Sequence, residues 1–314
     1  MPIQAGTIDT STHTQEKAML SSTDHTQKHF NGTQLPNPTV TIAFQGEPGA
    51  FGDEAARAYY HRAGQPKPEP TPYRTFADVF RAVAAGDVDY GLVPVENSQA
   101  GSINDVYDLL RQHDLFVIGE MSHQVNQCLL SLPGQQLRDI KRVISHPQAL
   151  AQSEAFLHEL GVETVATYDT AGSAKQIRDE QLSGTAAIAS ATAAELYELE
   201  ILAHSIQTIK DNYTRFIAIG REPAPRREGP AKTMLVMATS HQPGSLYQCL
   251  GVLTAKQINL LKLESRPSRQ HAWEYVFYLD LEGHRDDPPV RSALADLAAY
   301  TTFCKVLGSF VKNL

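Results

Sequence analysis

The run Val88–His113, "VDYGLVPVENSQAGSINDVYDLLRQH", carries the reading that decides the fold. "VDYGLVPVE" is short, apolar and of strand length, and "SINDVYDLLRQH" reads as a helix capped by Ser102. The join between them, "VENSQAGSIND", sets small and hydroxyl residues beside helix N–H groups that have no internal partner. With the positive end of the helix dipole, such a turn is suited to an anion.

The same unit repeats outward from this run. On its N-terminal side, "TVTIAFQG" reads as a strand, and "GDEAARAYYHRAG", ending on Gly64, and "TFADVFRAVAAGD" as helices. On its C-terminal side come extended segments in "LFVIGEMSHQVNQCLLSL" and "KRVISHP", then the helix "QALAQSEAFLHELG". "VETVATYD" and "AAIAS" follow as strands flanking the helix "AGSAKQIRDEQLSG". The alternation predicts an α/β domain of mostly parallel strands covered by helices. Further strand-to-helix turns fall at "QGEPGAFGDE", "SHPQAL" and "YDTAGSAK". In an open α/β sheet such turns converge on the crevice at the carboxyl ends of the strands. For a single turn, capping by Ser102, Asp169 or Ser173 is the simpler role; four turns at one crevice suggest a binding site.

"REPAPRREGPAK" interrupts the pattern with prolines and charges, as a linker does. Beyond it the strands "TMLVMATS", "INLLKLESRP", "HAWEYVFYLDLEG" and "TTFCKVLGSF" alternate with the helices "GSLYQCLGVLTAKQ" and "VRSALADLAAY". The order is βαββαβ, a ferredoxin-like unit. Residues 1–38 differ in composition from all that follows, being rich in Ser, Thr, Gln and His, and read as a disordered tail. The tail has neither the apolar run of a secretory signal nor any arginine, and it carries Asp9, Glu16 and Asp24, unlike a transit peptide. The domain organisation expected is therefore tail 1–38, α/β domain 39–222, linker 223–231 and ferredoxin-like domain 232–310.

A net charge of −8 over 314 residues argues against a nucleic-acid surface. No apolar run is long enough to cross a bilayer. Cys128, Cys249 and Cys304 are too far apart for a metal site or a disulfide framework, which points to a reducing cytoplasm. No HExxH, dinucleotide fingerprint or Ser-His-Asp order is present. What remains is "DNYTRF", Asp211–Phe216, against the apolar run "FIAIG", which reads as a strand from Phe216 to Gly220. The Arg215 fork suits a carboxylate, and the Thr214 hydroxyl could donate to a departing oxygen. Asn97, Ser145, Gln152 and Thr170 add neutral donors on the crevice side. The inventory suits chemistry without metal or cofactor on a small anion, by positioning and electrostatic stabilisation.

The ordered set "FQGEPGAFGDEAA", "GLVPVENSQAGSI", "SHPQALAQS", "DTAGSAK", "AAIAS", "DNYTRF", "GSLYQCL" and "INLLKLESRP" resembles the prephenate dehydratase family, monofunctional type, with a C-terminal ACT regulatory domain. The resemblance implies a two-lobed, periplasmic-binding-protein-like (type II) catalytic domain with its site between the lobes. It implies cofactor-free conversion of prephenate to phenylpyruvate on the way to phenylalanine, with arogenate dehydratase as the nearest alternative and a silent amino-acid sensor as the remote one. Carried over by motif, Thr214 assists hydroxide departure, with Glu96, Asn97, Ser145 and Gln152 as catalytic companions. Arg215, Phe216 and the turn Thr170, Ala171 and Gly172 would contact substrate, Arg215 holding the pyruvyl carboxylate. This chain has Ala50 and Gly52 where the family often has hydroxyls, which weakens the first turn as a substrate contact. In the ACT domain, Gly244, Ser245 and Leu246 would hold an effector's carboxylate. Asn259, Glu264, Ser265 and Arg266 would cradle the rest, with Glu264 on the ammonium. The resemblance further implies L-phenylalanine as effector and a homodimer or homotetramer formed through ACT domains.

Overall fold

The computed structural model describes residues 39–62, 68–268 and 275–312. The tail 1–38, the expected helix stop at Gly64 and the start of the strand expected from His271 lie outside the described residues. The first lobe is built from β1 (Thr41–Gln45), α1 (Phe51–Arg62), β2 (Glu69–Tyr73), α2 (Phe76–Ala85), β3 (Tyr90–Asn97), β4 (Gly101–Ser102), α3 (Asn104–Gln112) and β5 (Phe116–Gln124). The second holds β6 (Cys128–Ser131), β7 (Arg142–Ser145), α4 (Pro147–Gln152), α5 (Glu154–Leu160), β8 (Glu163–Ala166), α6 (Thr170–Glu180), β9 (Thr185–Ala189), α7 (Ala191–Leu196) and β10 (Glu200–Ala203). The chain then returns to the first lobe as β11 (Tyr213–Gly220).

The lobe sheets run β2-β1-β3-β11-β5 and β10-β6-β9-β7-β8. Both are mixed rather than mostly parallel. β1 is parallel to β2 and β3, but β11 is antiparallel to β3 and β5. β7 is parallel to β8 and β9, whereas β6 is antiparallel to both of its neighbours, β9 and β10. The cause is the double crossing between lobes, which brings β11 home from the far side. The two crossing segments are tied to each other: Val125 N–H donates to Asn212 O (2.8 Å) and Ile206 N–H to Gln127 O (2.9 Å).

Local chemistry accounts for the element ends. Thr75 and Asp78 cap α2 reciprocally, and Gly86 closes it at φ 84°, a left-handed conformation that costs glycine little. The helix buries Val79, Phe80, Ala82 and Val83 along one face. β2, "EPTPY", carries two prolines and escapes a strand reading, yet it sits at a sheet edge, where a missing N–H is tolerated. The helix expected over 148–161 breaks at Ser153, which ends α4 and begins α5. Ser102 does not cap α3: the hairpin through Gly101 (φ 80°) pulls it back onto β3 as β4, and Ile103 takes the cap position without a side-chain bond.

The C-terminal domain comprises β12 (Ala231–Thr239), α8 (Ser245–Ala255), β13 (Leu260–Pro267), β14 (Tyr275–Glu282), α9 (Pro288–Leu297) and β15 (Thr301–Val311). Its antiparallel sheet runs β13-β14-β12-β15, as βαββαβ requires. Strand alternation gives the sheet two buried faces. Leu235, Met237, Leu279 and Leu281 pack with α8 and α9. Met234, Val236, Val276 and Tyr278 share a core with Val106, Tyr107, Leu110 and Val117 of the first lobe. This sheet is thus a middle layer, covered by helices on one side and by the first lobe on the other.

Candidate active site

A cavity of about 690 Å³ opens between the lobes, and all four strand-to-helix turns reach it: Ala50 and Gly52, Asn97, His146 and Gln148, and Asp169 and Thr170. Thr214 and Phe216 of β11 line it with Gln152 from the second lobe. Convergence follows from the topology, since each turn lies at the carboxyl end of its strand.

At the hinge side of the cavity lies a closed set of amides. Asn97 Nδ2 donates to Thr214 Oγ1 (3.0 Å) and to Asn212 Oδ1 (2.8 Å). Asn212 Nδ2 donates to Gln152 Oε1 (3.0 Å), and Gln152 Nε2 returns to Asn97 Oδ1 (3.3 Å). The backbone N–H groups of Gln99 and Ala100 also donate to Asn97 Oδ1, both at 3.0 Å. Those two donors fix which end of the Asn97 amide is oxygen. Its nitrogen must therefore face Thr214, and the Thr214 oxygen accepts. The threonine proton is then left for an acceptor in the cavity. Thr214 is only 8% exposed, so the bond it offers is made in a largely dry setting.

The charged wall is mixed. Arg74 is the one arginine or lysine among the described residues lining the cavity, and Asp105, Asp108 and Asp169 line it too. Burial raises the Asp169 carboxyl pKa above its ordinary value despite the Gly172 N–H that donates to it at 2.7 Å. Burial pushes the His146 imidazole down, towards its neutral form. Among the described residues no cluster of His, Cys, Asp and Glu is arranged to hold a metal.

Of the residues expected in the site, Thr214, Asn97, Gln152, Phe216 and Thr170 are brought together and the others are not. Ser145 is fully buried, and its hydroxyl donates to Ile188 O (2.6 Å), joining β7 to β9. Ala171 is buried, and Gly172 spends its N–H on the cap Asp169, so that helix end is already satisfied from within. Arg215 points away from the cavity. Because β11 begins at Tyr213, Thr214 and Arg215 are successive strand residues and face opposite sides. The guanidinium meets Glu120 at 2.8 Å and Asp280 at 2.6 Å, and Glu96 lies 3.8 Å from it. The expected grip of Arg215 on a substrate carboxylate is therefore withdrawn, and Glu96 leaves the catalytic set for the same reason.

The expected effector residues also divide. Gly244, Ser245 and Leu246 line a shallow cavity of about 330 Å³ at the N-terminus of α8. Asn259, Glu264, Ser265 and Arg266 are not part of it. Glu264 accepts from Ser102 Oγ (2.8 Å), and Arg266 Nη2 lies 3.8 Å from Asp108. Both are on the first-lobe side of β13, and among the described residues Glu264 and Arg266 do not pair with each other. Sequence reading missed Arg74, His146, Gln127 and Asn212. Asn212 could have been found, as a buried amide two residues before the threonine; Arg74, on a loop after an unread strand, carried no signal.

Comparison with known proteins agrees with this construction. Residues 42–224 match the family model described as prephenate dehydratase, and residues 233–299 match the ACT domain. An Arabidopsis thaliana protein named arogenate dehydratase/prephenate dehydratase 2, chloroplastic, is 42% identical over 93% of this chain and 76% of its own length. A prephenate dehydratase from Arthrobacter aurescens, solved in complex with L-Phe, superposes with a TM-score of 0.78 at 32% identity, over 87% of this chain and 90% of that one. A solved structure described as GqqA, a novel type of quorum quenching acylase, gives 0.79 at 37% identity, over 87% of this chain and 98% of that one.

Proposed function

Since the chain belongs to the prephenate dehydratase family and carries an ACT domain, we propose that it converts prephenate to phenylpyruvate under feedback inhibition by L-phenylalanine. The observation that carries the reading is the Thr214 hydroxyl, which accepts from Asn97 and lines an interlobe cavity. In the reaction the ring carboxylate leaves as carbon dioxide, and the electron pair of its bond completes the aromatic ring as the ring hydroxyl departs. Thr214 donates a hydrogen bond to that oxygen as negative charge builds on it, and the departing hydroxide takes its proton from solvent. A donor fixed in advance costs no reorganisation at that moment. Arg74 holds the side-chain carboxylate, which keeps its charge throughout; clamping the carboxylate that leaves would favour the ground state instead. Gln152 and Asn212 hold Asn97 from the second lobe and the hinge, so that lobe closure and donor alignment go together.

A second reading, arogenate dehydratase, is favoured by Asp105 and Asp108 on the same wall, which would suit the ammonium that replaces the keto group. An acylase reading has less support, because the Thr214 hydroxyl is held by an amide rather than by an imidazole able to act as base. The effector reading rests on the ACT match and on the L-Phe complex of the Arthrobacter relative, with the α8 N-terminus as the carboxylate end. β13 is an edge strand of the ACT sheet with Leu263 exposed, and we assign it to a homodimer contact. The three free thiols fit a reducing cytoplasm.

Ultraviolet detection of phenylpyruvate from purified prephenate, beside arogenate and with added phenylalanine, tests the whole reading. Turnover of prephenate, suppressed by phenylalanine, is expected. No turnover of either substrate overturns the enzyme reading, and turnover of arogenate alone selects the second.

A further inference from the structure

The "TRF" arginine has no place in the cavity, yet it is four-fifths buried and surrounded by carboxylates, and that arrangement asks for a role. Its side chain reaches two domains at once. Nε donates to Glu120 Oε2 of β5 (2.8 Å), inside the catalytic sheet. Nη2 donates to Asp280 Oδ2 of β14 (2.6 Å), inside the ACT sheet. Lys232 of β12 completes the group, 2.8 Å from Glu120 and 3.5 Å from Asp280. Glu120, Asp280 and Lys232 are all buried. Two cations and two anions thus form a neutral quartet at the domain boundary, set among the apolar side chains that join the ACT sheet to the first lobe.

A second branch leads from the same arginine to β13. Glu96, 3.8 Å from Arg215, pairs with Lys262 at 2.8 Å. Glu264, two residues along the same strand face, accepts from Ser102 of the catalytic hairpin. Lys262, Glu264 and Arg266 therefore all turn towards the catalytic domain, and β13 cannot move without changing what Glu96 and Ser102 meet.

At the other end the linkage to Thr214 is one peptide bond long. The register between β11 and β3 shifts between Arg215 and Phe216, where β3 carries one extra residue, while the pairing of β11 with β5 runs on unbroken at this point. A displacement of Asp280 acts on Arg215, and through it on the alignment of Thr214 with Asn97.

We propose that Arg215 is a positioning residue which joins the ACT sheet to the Thr214 donor, so that the state of the regulatory domain sets the geometry of the cleft. The role rests on the dehydratase reading and on its regulation by phenylalanine. An effector changes activity through this link only if it binds the two positions of the ACT sheet unequally. The guanidinium is suited to the task because its rigid fork holds both partners at fixed angles, which a lysine ammonium does not.

The test uses the full chain and the variants Asp280→Asn and Arg215→Lys. Asp280→Asn keeps the shape of the partner and removes its charge; Arg215→Lys keeps the charge and removes the fork. Prephenate kinetics, phenylalanine inhibition and calorimetric binding of phenylalanine are measured on each, and either folded variant suffices. We expect kcat to fall about fivefold or more while KM stays within about twofold, the signature of an interaction made in the transition state. We expect phenylalanine to bind still, while saturating phenylalanine leaves roughly half or more of each variant's own activity, as lost coupling requires. A role in stability alone predicts a lower melting temperature with kcat and inhibition as in the parent, and that result overturns the proposal. If the parent turns over prephenate but ignores phenylalanine, the regulatory reading fails and kcat decides the positioning role by itself. A parent inactive on both prephenate and arogenate overturns the reaction and this role together.

Discussion

Asn97 Nδ2 lies 3.0 Å from Thr214 Oγ1 and donates to it, while the carbonyl end of the same amide is held by two backbone N–H groups. The amide cannot turn over without giving up both of those bonds, so the polarity of the pair is set by the backbone. A hydroxyl in this position accepts from one side and donates to the other.

Thr214→Val keeps the shape of the side chain and removes the donor. We expect kcat to fall by about 10²–10³, the usual cost of losing one preorganised donor to a developing oxyanion. Thr214→Ser should retain activity to within about tenfold, since it keeps the hydroxyl and adds only rotamer freedom. Steady-state kinetics on prephenate, with melting temperatures to verify folding, checks both; equal rates for Val and Thr would remove the residue from the chemistry.

Asn97→Asp replaces the nitrogen facing Thr214 by an acceptor. The threonine proton would then turn towards residue 97 and away from the cavity. The expected loss in kcat is about 10²-fold, similar to removing the donor outright, with KM much less affected. Retention of the parent kcat would show that hydroxyl polarity does not matter.

Arg74 is assigned to the carboxylate that persists. Arg74→Ala should raise KM about tenfold or more with kcat changed little, and Arg74→Lys should fall between the two. Because the residue is exposed at the cavity mouth, the KM of the parent should also rise with salt, and that of Arg74→Ala should not. A salt response identical in both proteins would reject the assignment.

Burial raises the carboxyl pKa of Asp169 above its reference value of 3.8. The folded chain then holds this proton more tightly than the unfolded chain between those two values. Its contribution to stability is full below the reference value and is lost as pH rises through the folded value. Asp169→Asn can still accept from Gly172 N–H, and it removes the titration. Urea midpoints across pH 3 to 7 should therefore show the variant gaining on the parent as pH rises above about 4. Parallel curves would contradict the burial argument.

Gly308 of β15 crosses the first lobe at the backbone of Val117. A Cβ there would collide with the Val117 carbonyl oxygen and lie 2.8 Å from its carbon. Backbone cannot rotate away as a side chain can, so Gly308→Ala should destabilise by about 1–3 kcal/mol. Differential scanning calorimetry would read the loss as a lower transition temperature, and an unchanged transition would mean that the two domains are not docked as described.

How far the sequence reaches is clearest at Thr214 and Arg215. Apolar periodicity and glycine stops were enough for the alternating strands and helices, for the βαββαβ order and for a crevice formed by turns at strand ends. Asn97 was legible because it closes a strand at such a turn, and Thr214 and Gln152 through the motifs "DNYTRF" and "SHPQALAQS". Arg215 was misplaced because the strand was expected from Phe216, which left Thr214 and Arg215 free to point the same way. β11 begins three residues earlier, and the two-residue period of a strand then sends the hydroxyl and the guanidinium to opposite faces. The choice of face lay beyond the local pattern. It depends on which side is closed by the second lobe and which by the ACT sheet, through contacts such as Arg215 with Asp280, 65 residues apart in the chain. Composition and spacing determined that a hydroxyl and a guanidinium stand side by side at the start of an apolar strand. Long-range packing decided that the hydroxyl meets the cavity and that the charge, too costly to bury unpaired, is satisfied at the domain boundary.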